Sequence, residues 1–269
     1  MPRPRRAPSP AWCAPRPRAD AVHRALRGAL IAIALMAGVV LLAPAAMLDH
    51  AVARLTQDSV HLVGAHGFWW RGSGVLATYD GRAHVPLAWR VELVPLATGA
   101  LVVNLVEGSD DAMPSGHVTL RHGSVEVRAL RLRVPAAMAS AMVPALRAVA
   151  LGGEIALALP ALAWRDGTLR GNGDATWQRA RIVAAGLALD LGRVSASMPP
   201  GGEAFGGTVR NAGGDLAIDG TFAQRTGALE AALVLRPTDA TPQAVRAMLP
   251  LLGASDGSGA VRLTWRSDR

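Results

Sequence analysis

Beyond residue 57 the apolar positions of this chain alternate with polar ones. In VPLAWRVELV, Leu87, Trp89, Val91 and Leu93 point one way, while Ala88, Arg90 and Glu92 point the other. That period of two marks a strand with one buried face. The alternation recurs at Val118 and Leu120, at Ile155, Leu157 and Leu159, at Leu229, Ala231, Leu233 and Leu235, and at Val261, Leu263 and Trp265. Asp80-Gly81, His122-Gly123 and Asp166-Gly167 predict hairpin links, and Asn211 to Asp215 (NAGGD) a looser one. The apolar phase slips between Val127 and Leu130, where a bulge or bend is expected, and similarly around Gly186.

Two segments follow a helical period instead. Met138, Met142 and Leu146 are spaced four apart after Pro135, and Val245, Met248, Leu249 and Leu252 share one helical face. Thr241 is placed to cap the second helix, with Pro242 at its first position. Each helix follows a strand ending in Leu-Arg and proline, and each leads through Leu-Gly into another strand. This repetition suggests two tandem β-plus-helix units, at about 58–152 and 153–269, within a body spanning 49–269. The expected class is mainly β: an antiparallel body with two short helices.

Ahead of the body runs ALIAIALMAGVVLLAPAAML, from Ala29 to Leu48, without a charge. About 20 apolar residues suffice for a helix to cross the hydrocarbon core. Residues 29–48 are therefore read as a single transmembrane anchor, with Leu48 to about Gln57 continuing as helix. Ala43-Pro44-Ala45 also has the look of a signal-peptide processing site. The long basic leader, the length of the apolar run and the proline inside that motif favour a retained anchor.

Charge refines the picture. The chain carries a formal net charge of +8. Arg3, Arg5, Arg6, Arg16, Arg18, Arg24 and Arg27 against Asp20 place +6 of it before residue 29, so the body is close to neutral. This arm, residues 1–28, is rich in Pro and Arg. It predicts a cytoplasmic N-terminus, a periplasmic body and an inner-membrane location, rather than a nucleic-acid partner. Cys13, the single cysteine, excludes an intramolecular disulfide.

Candidate chemistry is sparse. His50, His61, His66, His84, His117 and His122 form no zinc-type spacing, and Asp110-Asp111 lies in a polar loop. There is no G-x-S-x-G elbow. RGNGD and GGEAFGG do not complete a phosphate-binding loop, and their glycines read as turn residues. Arginine follows tryptophan at Trp70-Arg71, Trp89-Arg90, Trp164-Arg165 and Trp265-Arg266. Period two sends each tryptophan inward and each arginine outward, which is sheet patterning rather than a stacking platform for bases. No catalytic, cofactor-binding or metal-binding residue is assigned, and no enzyme is expected.

HGFWWRGSGVLATYDG, from His66 to Gly81, puts Trp69 and Trp70 among turn-permitting glycines. One indole can enter a sheet core, and the other can lie at the bilayer interface, about twenty residues from the anchor. The layout of anchor and body resembles the type II secretion system protein N family, also called general secretion pathway protein N. Four stretches carry the resemblance: GFWWRGSG with Gly67, Trp70 and Gly72; PLAWRVELVPLATGAL from Pro86, with Trp89; LRGNGDATWQRA with Trp177; and LPLLGASDGSGAVRLTW with Gly253. The resemblance implies an inner-membrane accessory component of the Gram-negative machine that exports folded proteins. It implies other secretion components as partners, and neither cofactor nor catalytic residues. An alternative from the residues themselves is an anchored β-groove that binds or transfers lipid, for which ALVVNLV (Ala100 to Val106) and AALVL (Ala231 to Leu235) are suitable linings.

Overall fold

A computed structural model of the chain describes residues 38, 41–106, 114–142, 146, 149–184, 186–200, 205–225, 227–257 and 259–267. The arm, the Asp110-Asp111 loop and most of the apolar run from Ala29 lie outside the described residues. Among those described, no helix is long and apolar enough to cross a membrane.

From Pro44 onward the chain is one compact unit. Helix α1 (Met47–Leu55) leads into strands β1 (Val60–Phe68), β2 (Arg71–Thr78) and β3 (His84–Glu92). A single turn, α2 (Leu93–Leu96), precedes β4 (Leu101–Leu105), β5 (Ser115–Arg121) and β6 (Ser124–Pro135), and then comes α3 (Ala136–Met142). The second run is β7 (Ala150–Arg165), β8 (Thr168–Ala184), β9 (Leu187–Met198), β10 (Gly206–Ala212), β11 (Leu216–Arg225) and β12 (Ala228–Pro237). Helix α4 (Gln243–Leu252), β13 (Ala254–Ser255) and β14 (Val261–Arg266) close the chain. Both helices expected from the four-residue spacing are present. A helix follows the sixth and the twelfth strand, yet β6 pairs with β7 from Ser124↔Arg165 to Pro135↔Glu154, so one sheet runs through both halves.

The sheet is antiparallel and, among the described residues, has 14 strands in chain order, except that β14 slots between β12 and β13. A sheet this wide has to curl or split. Here β4 and β5 have only 5 and 7 residues, while β3 and β6 have 9 and 12. The overhanging ends fold toward each other, so β3 touches β6 although two strands lie between them. Val60, Ala83 and Val85 meet Met138 of α3 there, with Val134 of β6 packed alongside.

Asp80-Gly81, His122-Gly123, Asp166-Gly167 and the Asn211–Asp215 stretch all fall at the expected hairpins. The slip after Val127 is a bulge, with Ala129 at φ 50° and the β5–β6 register shifting beside it. Other readings need correction. Gly186 sits in the tight turn between β8 and β9 rather than at a bulge, and β8 bulges earlier, at Arg179, with φ 49°. Leu93 does not continue β3, because Pro95 cannot extend a ladder and the chain turns through α2 instead. Thr241 makes no cap bond to α4. Its hydroxyl accepts the Thr238 N–H at 2.7 Å and donates to the Asp215 carbonyl, tying the loop to the β10–β11 turn.

Candidate interaction surface

Residues directly paired across strands share a face, as do residues two apart along a strand. Following the register from β1 to β14 gives one face with a mostly apolar lining, interrupted at Asn211, which pairs with Val194 and accepts the Ile218 N–H. The lining runs through Leu62, Leu76, Trp89, Val103, Val118, Val127, Leu162, Leu169, Trp177, Val194, Val209, Ile218, Leu235 and Val261. The opposite face carries Arg71, Arg90, His117, Arg128, Arg165, Asp174, Asp219, Arg236 and Arg266. The Trp-Arg steps at 89–90, 164–165 and 265–266 thus divide their side chains between the two faces as period two requires.

Cover on the apolar face is uneven. At one end α4 seals it: Leu249, 2% exposed, packs with Leu191, Leu216, Leu235 and Val261. At the other end, Ala45 packs against Leu62, Trp89 and Val91, with Leu48 alongside. Between them, Leu101, Val103, Leu105, Val118, Val125, Val127, Leu132, Leu157, Leu162 and Leu169 are only half-buried. Trp164 and Trp265 on this face are 40% and 57% exposed. The middle of the face therefore has no second layer over it among the described residues.

The residues singled out in the sequence fall into two groups. Gly67 and Gly72 pair across the β1–β2 hairpin. A Cβ on Gly67 would lie 2.6 Å from the Arg71 carbonyl, and one on Gly72 would lie 2.7 Å from the Trp89 ring. Both positions exclude a side chain because backbone and indole occupy the space. Trp89 is 5% exposed and donates its Nε1–H to the Trp69 carbonyl at 3.0 Å. Trp70 stacks on Phe68 at 5.8 Å, and its carbonyl accepts the Val91 N–H at 2.6 Å. Pro86 lies on β3 opposite Val75; β4 pairs only from Trp89 to Glu92, so the missing N–H of Pro86 costs no bond to it. The second group sits far along the chain. Trp177 packs on the α4-covered cluster and donates to the Gly152 carbonyl at 2.9 Å, while Gly253 follows α4 where a Cβ would run into the Arg262 carbonyl.

The glycines of RGNGD are not turn residues. They lie within β8, where a Cβ on Gly173 would meet Leu159 Cδ2 at 2.5 Å, so the leucine fills the space the glycine leaves.

The two margins of the sheet differ. On β1 the outward groups are engaged: the Leu62 N–H donates to Asp49 Oδ1 at 2.8 Å, the Val60 N–H donates to Thr56 Oγ1 at 3.2 Å, and the Gly67 carbonyl accepts the Ala45 N–H at 3.0 Å. Pro44 bridges Phe68. On the far side, β13 covers β14 only at Val261 and Arg262. Ser267 donates to the Leu229 carbonyl of β12 at 2.9 Å, so alternate residues, Thr264 and Arg266, direct their backbone groups away from β12. Among the described residues no strand meets them, and this margin is open.

Among the described residues no three His, Cys, Asp or Glu side chains approach closely enough to hold a metal. The pKa of Asp80 is lowered by the Thr78 hydroxyl at 2.6 Å and the Arg82 N–H at 3.1 Å. Both contacts belong to the β2–β3 turn. Sequence reasoning missed the sealed margin of β1, because Asp49 and Leu62 are 13 residues apart and no local pattern links them.

Comparison with known proteins gives a family match: the model described as type II secretion system (T2SS), protein N, covers residues 58–264. Searches of curated proteins and of solved structures return no significant match.

Proposed function

We propose, from the premise that the chain belongs to the type II secretion system protein N family, that it serves secretion as an anchored accessory protein working by contact. The family places its work in type II secretion. On our reading, the apolar run that starts at Ala29 anchors it in the inner membrane and gives way to the body at Pro44, because Pro44, Ala45 and Leu48 fold onto the sheet; the arginine-rich arm stays in the cytoplasm, and the β body stands in the periplasm. There it holds other secretion components during export of folded proteins. The observation that carries this reading is the contrast between the sheet's margins. One is closed by Asp49, Thr56 and Ala45, while the other presents Thr264 and Arg266 for strand addition.

Thr264→Pro tests it. Proline removes an outward N–H and leaves the β12 ladder, which runs through Leu263 and Trp265, in place. Full-length Thr264→Pro is expected to melt within about 1 kcal/mol of the parent, a surface effect, and to lose secretion components on purification in mild detergent. Retention of the same partners would refute strand addition at this margin.

The half-buried middle of the apolar face favours a second reading, a groove for acyl chains. It predicts phospholipid retained through native mass spectrometry and lost on Leu162→Asp. A lipid-free parent protein would remove it.

A further inference from the structure

The corner where the body begins has features that neither secretion nor the groove requires. Pro44 bridges Phe68 and the Ala45 N–H donates to Gly67, so the uncharged stretch that starts at Ala29 joins the body at Pro44, beside the β1–β2 turn. The Val91 N–H bound to the Trp70 carbonyl brings α2 next to that turn. The two tips expose large apolar groups: Phe68 at 39%, Leu93 at 36%, Val94 at 86% and Leu96 at 38%. Level with Phe68, which pairs with Arg71, Arg71 and Arg90 stand directly opposite each other on the polar face. Like charges in that position repel. Both are exposed, and among the described residues neither is ion-paired, while the nearby Glu92 is held by Asn104 Nδ2 at 2.9 Å.

We propose that this corner docks on the bilayer surface: Phe68, Leu93, Val94 and Leu96 enter the interfacial layer, and the Arg71–Arg90 pair binds anionic phospholipid headgroups. A stacked Phe-Trp pair and a short apolar turn suit the headgroup boundary, where indole is favoured. A phosphate between two guanidinium groups removes their repulsion and forms charge-assisted hydrogen bonds. The bilayer is the occupant because the apolar run ends at this corner and at no other part of the sheet. The inference rests on the anchored reading above. Its consequence is orientational: the strand ends bearing Trp89, Trp164 and Trp265 face the membrane, and the opposite edge, with Thr241, faces away.

The full-length chain carrying Cys13→Ser is reconstituted in vesicles with an environment-sensitive label at Val94→Cys or, on the opposite edge, at Ala240→Cys. With phosphatidylglycerol present, the label at 94 is expected to be quenched by spin-labelled lipid, and the label at 240 to stay aqueous. Arg71→Gln with Arg90→Gln lowers the docking equilibrium about thirtyfold, the effect of two basic residues at an anionic surface. Phosphatidylcholine vesicles give the same loss. An aqueous label at 94 in a chain that resists carbonate extraction would overturn the docking alone. Quenching unchanged by the arginine substitutions would overturn the headgroup site. Release by carbonate would overturn the anchored reading, and docking with it.

Discussion

Cover over the apolar face is testable by comparing two leucines on it. Leu249 of α4 is 2% exposed and packs among Leu191, Leu216, Leu235 and Val261. Truncating it to alanine removes its transfer free energy and leaves a cavity that a sheet and a helix cannot both collapse to fill, at a cost of about 3 kcal/mol. Leu162 of β7 lies opposite Val127 and Gly171 and is half-buried. Leu162→Ala forfeits only part of the transfer free energy and opens no closed cavity, at about 1 kcal/mol. For a body of this size each kcal/mol moves the melting temperature by about 2–4 °C. Leu249→Ala is thus expected to melt about 6–12 °C below the parent and Leu162→Ala about 2–4 °C below it, followed by circular dichroism of the β signal in detergent. Equal losses would refute the argument, since they would mean that a second layer covers Leu162.

Other substitutions test single contacts. Gly72→Ala pushes a methyl into the Trp89 ring and the His66 carbonyl and should cost about 1–3 kcal/mol, with a changed near-ultraviolet tryptophan signal. Asp49→Ala strips the acceptor from the Leu62 N–H; a loss of about 1–2 kcal/mol and faster amide exchange at Leu62 are expected. Asp80, held below its ordinary value of 3.8 by Thr78 and Arg82, stabilises the turn above the unfolded pKa. That contribution disappears as pH falls through the lower, folded pKa. Protease nicking between Tyr79 and Ala83 should therefore rise only in that acid range, and Asp80→Asn should show it at neutral pH.

The strands were legible because one face is largely apolar across its width, and period two reads that directly, as Leu87, Trp89 and Val91 illustrate. Hairpin turns were legible from Asp-Gly and His-Gly pairs, which supply the positive φ such turns need. A phase slip was not enough to separate a bulge at Ala129 from a turn at Gly186, because both displace the pattern by one residue. Period two also fails to say how deeply a face is covered: Leu162 and Leu235 read alike, yet one is half-buried and the other 8% exposed. The glycines of β8 looked like turn residues because the leucine that needs their space, Leu159, comes from another strand. The membrane-side corner depends on Pro44 meeting Phe68 and on Trp70 meeting Val91, contacts between elements that no local window contains.

What the account most depends on is where the body sits relative to the inner membrane. Alkaline phosphatase, active only in the periplasm, and β-galactosidase, active only in the cytoplasm, fused in turn after Arg269 give the direct measurement. The account predicts an active phosphatase fusion and an inactive β-galactosidase fusion at equal expression. The reverse pattern would contradict it.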